Sequence, residues 1–309
     1  MVLTLTINPA IDRTITVDRL VFEDRGYILD TSEAPGGRGI NASRVIHAFG
    51  GKTVALLTSG GETGARMEKS LAAMGFPYHV VRARQESRTN ITISDRQGLT
   101  VKLNELGAPL EAHEVNQVRE LVAKHLPKAT WLMICGSLPP GVAPHFLCEV
   151  IEMAQTRHVK TLLDSDGDAL LHAIEAKPTV VTPNQAEAER LLGRALITRT
   201  HFLEATARIQ AMGAESVILS LGSRGAIGSG PDGVFESLAP RVDALCPIGA
   251  GDALAAAFVW GSEKKKQFQD SLRWAVAAGT AKASLPGMTF PTLELTRAIY
   301  KNVEVRRAA

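Results

Sequence analysis

The chain has 309 residues, 45% of them hydrophobic and 21% charged, an ordinary globular composition with room for one large α/β domain or two small ones. Lys and Arg number 34 against 32 Asp and Glu, a net charge of +2, so the overall field gives no reason to expect nucleic acid or an acidic membrane surface as a partner. Cys135, Cys148 and Cys246 lie far apart without metal-ligand spacing, residues 1–7 lack the basic region and long apolar core of a signal peptide, and no stretch approaches the roughly 18 apolar residues of a membrane span; a reducing cytoplasm is expected.

In chain order, short apolar runs read as buried strands and longer periodic stretches as helices. Residues 2–7 form the first such run. Residues 12–34 then alternate polar and apolar, as in Thr14-Ile15-Thr16-Val17-Asp18. A helix over 40–48, a strand over 53–58 and a helix over 64–74 follow. Residues 88–106 alternate again: Asn90-Ile91-Thr92-Ile93-Ser94, the turn signal Asp95-Arg96-Gln97-Gly98, then Leu99-Thr100-Val101-Lys102-Leu103. That reads as a hairpin with one wet face. Further helices are predicted over 112–125, 144–156, 185–192 and 199–212, and strands over 131–135, 160–164, 180–182 and 216–220. The Ala-rich stretches 252–260 and 267–284 suit long helices, with a solvated Lys264-Lys265-Lys266 loop between them. Wholly apolar strands alternating with helices imply a mostly parallel sheet covered on both faces. The two half-polar regions do not belong inside such a sheet. They are expected to form a small separate β-sheet able to cover a site.

Two glycine clusters open onto helices. In Pro247-Ile248-Gly249-Ala250-Gly251-Asp252 the glycines let backbone N–H groups turn toward one point. The helix that follows adds its free N–H groups and the positive end of its dipole. A carboxylate beside such an anion hole can take the proton of an attacking hydroxyl during phosphoryl transfer; equally, Asp252 could simply cap the helix. Both readings stay open on this segment alone. In Pro35-Gly36-Gly37-Arg38-Gly39-Ile40-Asn41 the polar groups offered are Arg38 and Asn41, suited to an anion and to hydroxyls. Its G-G-x-G spacing, without a preceding apolar strand, argues against a dinucleotide fingerprint.

Six motifs come in one order: Asn8-Pro9-Ala10-Ile11-Asp12, Gly36-Gly37-Arg38-Gly39-Ile40-Asn41, Gly136-Ser137-Leu138-Pro139-Pro140-Gly141, Asn184-Gln185-Ala186-Glu187, Ser220-Leu221-Gly222-Ser223-Arg224-Gly225-Ala226 and Gly249-Ala250-Gly251-Asp252. Over nearly its whole length the chain thus resembles the ribokinase-like (phosphofructokinase B) carbohydrate kinases. The first and third motifs are most similar to their hexose-phosphate branch: 1-phosphofructokinase, tagatose-6-phosphate kinase and the minor 6-phosphofructokinase. The resemblance implies one kinase domain over 1–309, with a three-layer α/β/α fold, a mostly parallel central sheet and a small β lid. It implies a cytoplasmic homodimer paired through the lid, a state that free strand edges would also favour.

Residue by residue, the resemblance makes Asp252 the general base and Gly249, Ala250 and Gly251 the anion hole. Asp12, Gly37, Gly39 and Asn41 match the sugar-binding positions. Asn184 and Glu187 match the motif that helps place Mg²⁺, which keeps several of its waters. Glu187 also suits a first-turn helix acid. Ser220, Gly222 and Gly225 match the loop receiving the phosphates and ribose of ATP. Arg88 opens the lid hairpin where phosphosugar kinases carry an Arg, and Arg38 and Arg25 join it from two other segments. Guanidinium groups suit a phosphate that is bound but not transferred. The chain departs from the family at Thr182-Pro183-Asn184, where Lys-Pro-Asn is usual, at Gly26-Tyr27 and at Pro247. The expected reaction is ATP-dependent phosphorylation of fructose 1-phosphate, fructose 6-phosphate or tagatose 6-phosphate. The competing readings are a kinase of an unphosphorylated sugar or nucleoside, and a non-catalytic phosphosugar-binding protein of the same fold.

Overall fold

The computed structural model describes residues 1–21 and 23–308. Its first third contains β1 (Val2–Thr6), β2 (Ala10–Val17), β3 (Ile28–Gly36), α1 (Arg38–Ala48), β4 (Thr53–Ser59), α2 (Gly61–Ala72), β5 (Tyr78–Arg82), β6 (Arg88–Asp95) and β7 (Thr100–Asn104). The middle continues with α3 (Ala112–His125), β8 (Trp131–Cys135), α4 (Phe146–Gln155), β9 (Lys160–Asp164), α5 (Gly167–Glu175), β10 (Val180–Val181), α6 (Gln185–Leu192) and α7 (Arg199–Ala211). The last part holds β11 (Ser216–Ser220), β12 (Ala226–Gly230), β13 (Gly233–Leu238), α8 (Ala250–Glu263), α9 (Phe268–Ala283), α10 (Leu293–Tyr300) and β14 (Glu304–Arg307).

One ten-stranded sheet has the order β14-β13-β12-β11-β10-β9-β8-β1-β4-β5. Its strands from β5 to β11 pair in parallel, and β12 to β14 extend it as an antiparallel edge. The fully buried runs β8, β1 and β4 lie side by side inside it, next to the edge strand β5, as expected for strands covered on both faces. One buried cluster packs α3, α4, α5 and α7 against one face, and a second packs α1, α8 and α9 against the other. Helix α8 is buried all round over Ala253–Gly261, the signature of a helix inside a core. An edge-to-face chain from Phe49 through Trp260 to Trp274, with centroids 5.4 and 5.0 Å apart, and a Trp260 Nε1–H donated to Phe49 O hold it in place. That packing fixes where the N-terminus of α8 points.

The two half-polar regions form the separate sheet, with order β3-β2-β6-β7. Strands β2 and β6 pair in parallel, placing Asp12 opposite Asn90 and Ala10 opposite Arg88. The turn between β6 and β7 is built on Asp95, whose carboxylate accepts the backbone N–H groups of Gln97 and Leu99. Cys135 is buried and its thiol pushed far up by burial, as an inert core cysteine should be. Strands β5 and β12–β14 and helices α5 and α10 have no counterpart in the sequence expectations.

Candidate active site

The site forms where several elements end together: the carboxyl ends of β9, β10 and β11, the N-termini of α1 and α8, and the lid strands β2 and β6. In open α/β sheets this carboxyl edge is where ligands bind.

Gly249 caps α8 in the left-handed region, at φ 80°. A side chain there would bring its Cβ within 2.9 Å of the Phe290 ring, so glycine is required twice over. Ala253 N is the first donor within the helix, to Gly249 O, and Ala250 N is taken by Pro247 O. The N–H groups of Gly251 and Asp252 therefore have no acceptor in the helix. Space beside Gly251 is open: among the described residues, its chain neighbours and own helix backbone aside, no atom lies within 4 Å of a hypothetical Cβ. This is an anion hole with room for a phosphoryl group.

Asp252 is the third residue of α8, not its cap. Its Oδ2 accepts from Asn41 Nδ2 at 2.7 Å, an atom of α1 rather than of its own helix. Of the two readings open in the sequence, the cap fails on this geometry. Burial and then the charge of Asp164 push the Asp252 carboxyl up to about 7, against the pull of Asn41 and Arg38. A carboxylate with that affinity is matched to taking a proton near neutral pH.

Asp12 lies across the lid interface with its Oδ1 accepting from Asn90 Nδ2 at 2.9 Å. Burial raises its pKa, opposed by Asn90 and Arg88. A Cβ on Gly36 would overlap the Asp12 carboxylate, which is why the loop opening α1 must be glycine there. Among the described residues, Asn41 Oδ1 and Asn90 Oδ1 are both buried without a hydrogen-bond partner. Orphaned acceptors are costly unless a ligand completes them, and sugar hydroxyls would do so.

The arginines divide. Arg88 donates from Nε to Asn8 O at 3.2 Å and from Nη1 to Glu105 O at 2.8 Å, both main-chain carbonyls. Among the described residues it has no carboxylate within ion-pair distance. Arg38 was expected to stand free for a substrate phosphate, but its guanidinium is held at 2.8 Å by Asp164, at 3.0 Å by Asp166 and at 3.2 Å by Glu187. The reason is electrostatic: three carboxylates converge at the ends of β9 and α6, and Arg38 is the cation that α1 brings among them. Arg25 sits exposed between β2 and β3 with no ion pair among the described residues, so the structure does not tie it to the site.

Glu187 and Asn184 form a reciprocal capping box at the start of α6: Asn184 Oδ1 accepts Glu187 N, and Glu187 Oε2 accepts Asn184 N. The first-turn reading of Glu187 is therefore correct as geometry, and its other oxygen faces Arg38. Burial raises its pKa, opposed by Arg38 and Asn184. Asn184 also bridges Ser220, bringing the ends of β10 and β11 together. Beyond Ser220 a short 3-10 turn over Gly222–Arg224 leads to Gly225 at φ 96°, where a side chain would meet Ser237 O. Sequence reasoning passed over Asp164 and Asp166. Their signal was the Asp164-Ser165-Asp166-Gly167 turn, acids at the carboxyl end of a buried strand opening a helix.

Comparison with known proteins identifies the family. The profile of the pfkB family carbohydrate kinases matches residues 4–295. The chain is 30% identical to ATP-dependent 6-phosphofructokinase isozyme 2 of Escherichia coli K12, over 96% of this chain and 97% of that one. It is 28% identical to 1-phosphofructokinase of Borreliella burgdorferi over 92% of each chain, and 26% identical to tagatose-6-phosphate kinase of Staphylococcus epidermidis over 99% of each. The crystal structure of Escherichia coli phosphofructokinase-2 with fructose-6-phosphate superposes with a TM-score of 0.90 at 29% identity, covering 97% of this chain and 98% of that one; the same protein has also been crystallised with potassium. Sheet, lid and the α8 turn, found together in a chain matched almost end to end, leave one assignment: this chain belongs to the pfkB family of carbohydrate kinases.

Proposed function

We propose that the chain is an ATP-dependent hexose-phosphate kinase that phosphorylates a free hydroxyl of fructose 1-phosphate, fructose 6-phosphate or tagatose 6-phosphate. The observation that carries this is the pairing of unfilled N–H groups at Gly251 and Asp252 with the Asp252 carboxylate in the same helical turn. The names of the relatives agree with it.

In the proposed reaction Asp252 removes the acceptor hydroxyl proton. The oxygen forms a bond to the γ-phosphorus of ATP as the bond to the bridging β–γ oxygen breaks, and ADP leaves. Backbone N–H groups of Gly251 and Asp252 and the α8 terminus stabilise the charge on the transferring group, the Ala250 N–H being held instead by Pro247 O. Asn41, Asn90 and Asp12 orient the sugar hydroxyls, and Gly37 and Gly39 let α1 approach closely. Arg88 binds the phosphate that is not transferred. Arg38 serves first as counter-ion to the acidic cluster and only by leaving it could it reach a phosphate. Ser220, Gly222 and Gly225 form the nucleotide loop. Among the described residues no three acidic groups are arranged to ligate a metal directly, and Arg38 pairs with Asp164, Asp166 and Glu187, so these acids and Asn184 would hold Mg²⁺ through its waters; the ion would neutralise phosphate charge. Folding of the lid over the site excludes water. The whole chain, 1–309, works as one kinase unit with its lid.

The test is an ATP-consumption screen with Mg²⁺ against the three hexose phosphates, ribose and adenosine. Turnover on at least one hexose phosphate and none on ribose or adenosine is the expected result. Turnover on ribose or adenosine alone would refute the assignment.

We also propose a homodimer through the lid, in the cytoplasm. The free thiols Cys135, Cys148 and Cys246 suit that reducing compartment. The lid exposes Tyr27 at 75% and Ile28 at 59% beside and on its edge strand β3, and Leu103 at 55% on the opposite edge strand β7, large apolar side chains that a solitary lid would leave wet. Light scattering should give twice the chain mass for the wild type and a single chain mass for an Ile28→Asp, Leu103→Asp double variant. A wild-type monomer rules the pairing out.

A further inference from the structure

Lys282, in the last turn of α9, is fully buried. An ammonium withdrawn from water is costly unless its donors are satisfied. Here Nζ donates to two main-chain carbonyls, Gly287 O at 2.9 Å and Cys246 O at 3.2 Å. It also faces the Phe290 ring, 5.6 Å from its centroid. Among the described residues no carboxylate lies within ion-pair distance. Burial lowers its pKa, while Cys246 and Asp252 favour the charged form.

The usual account of a lysine near a helix end is that it offsets that helix's own dipole. That account fails here, because neither carbonyl belongs to α9. Lys282 instead ties together two segments that meet below the anion hole. Cys246 begins the stretch running into Gly249, and Leu245 N and Cys246 N are both bound to Ala283 O, at 2.8 and 3.0 Å. Gly287 leads to Phe290, the ring that fits against Gly249. The Arg44 guanidinium lies over the same ring, 4.7 Å from its centroid. Main-chain carbonyls converging on a buried monovalent charge are how proteins replace the hydration shell of a potassium-sized ion.

We propose that Lys282 is a covalently attached monovalent cation: its ammonium fills, between Cys246 O and Gly287 O, the place a free K⁺ or NH₄⁺ would otherwise take. It thereby fixes the loop that opens α8 without an ion from solution. Lys282 is a positioning residue, acting on the transferring phosphoryl through residues 246–249. Its effect on turnover rests on the phosphoryl transfer proposed above; its effect on cation binding does not.

Two variants test this. Lys282→Ala leaves room at the carbonyls, and Lys282→Met fills the same volume without charge. Turnover and melting temperature are measured for all three proteins in K⁺, NH₄⁺ and tetramethylammonium, the last too large to enter, at equal ionic strength. Wild-type kcat should be the same in all three salts within about twofold. In tetramethylammonium Lys282→Ala should lose on the order of tenfold in kcat with sugar-phosphate KM little changed. K⁺ or NH₄⁺ should restore most of that loss and raise the melting temperature of Lys282→Ala by several degrees, as any ligand of the folded state does. Lys282→Met should show the same loss and no recovery. The melting shift needs no substrate, so it survives a wrong assignment of the acceptor. Activation of the wild type several-fold by K⁺, or equal melting of Lys282→Ala in all three salts, would overturn the proposal. If Lys282→Ala folds in none of the salts, Lys282→Met decides: wild-type turnover overturns the proposal, and a tenfold loss supports it.

Discussion

Replacing Asp252 by Asn lowers kcat roughly a hundred- to ten-thousand-fold, the range for loss of a positioned general base, and leaves both KM values nearly unchanged. The amide keeps the shape of the carboxylate and can still accept from Asn41 Nδ2, so the bond at 2.7 Å has a substitute. What it cannot do is take a proton. Full turnover by the Asn variant would refute the base assignment. The pH dependence follows from the same group. With its carboxyl pushed up to about 7, Asp252 is protonated below that pH and unable to act. The wild-type kcat/KM should therefore fall about tenfold per unit as pH drops below about 7.

The same substitution should stabilise the fold. In the unfolded chain an Asp ionises near its ordinary value of 3.8, whereas in the folded protein ionisation is postponed to about 7. Between those values the folded state binds the proton more tightly, so stability falls as pH rises, and above about 7 the whole penalty is present. A neutral amide in place of the carboxyl carries no such penalty. The variant should melt above the wild type at pH 8, with the gap closing as pH falls from 7 toward 4. A site that is strained in its resting state and relieved by an inactive residue is the familiar exchange of stability for activity. Calorimetry at several pH values tests it, and an Asn variant that melts no higher at pH 8 would show that burial does not strain Asp252.

The parallel core was legible because β1, β4, β8, β9 and β11 centre on Val, Leu and Ile with at most Thr, Ser or a terminal charge between them, and because the lid strands alternate. The antiparallel edge was not. Strand β12 reads Ala226-Ile227-Gly228-Ser229-Gly230, too small and flexible to announce a strand. Strand β14, Glu304-Val305-Arg306-Arg307, is a charged edge of the kind that discourages further pairing. Gly249, Asp252 and Asn41 were legible because glycine and helix signals are local. The partition of the arginines was not, because it depends on which charges the fold brings near each one. Arg38 is only one residue from Gly37 and Gly39 in sequence, yet its partners are 126, 128 and 149 residues away. Lys282 was hidden for the same reason: its acceptors are carbonyls, and backbone carbonyls leave no mark in a sequence.

Replacing Arg88 by Ala should raise the KM for the hexose phosphate on the order of a hundredfold and leave kcat nearly intact. Arg88 opens β6 beside β2, half-buried against a cavity that Asn8 and Ser87 also line. Its charge is the less committed of the two: it bonds to the carbonyls of Asn8 and Glu105, and burial lowers its pKa against the opposing pull of Asp12 and Glu105. Arg38, by contrast, has its pKa raised, chiefly by Asp164. A phosphate dianion arriving at Arg88 therefore meets a cation with no carboxylate at ion-pair distance among the described residues, whereas at Arg38 it would have to displace three carboxylates. Each charge-assisted hydrogen bond contributes about 1.5–3 kcal/mol, and about 1.4 kcal/mol is tenfold in affinity, so even partial loss of a two-pronged contact accounts for a hundredfold. The effect falls on KM because that phosphate is bound alike before and during transfer, and such uniform binding does not alter kcat. Arg88→Lys should recover only part of the loss, since a point charge cannot reproduce a fork. Steady-state kinetics on the hexose phosphate identified by the screen decide it. An unchanged KM in Arg88→Ala would move the phosphate to Arg38 and require the acidic cluster to release it.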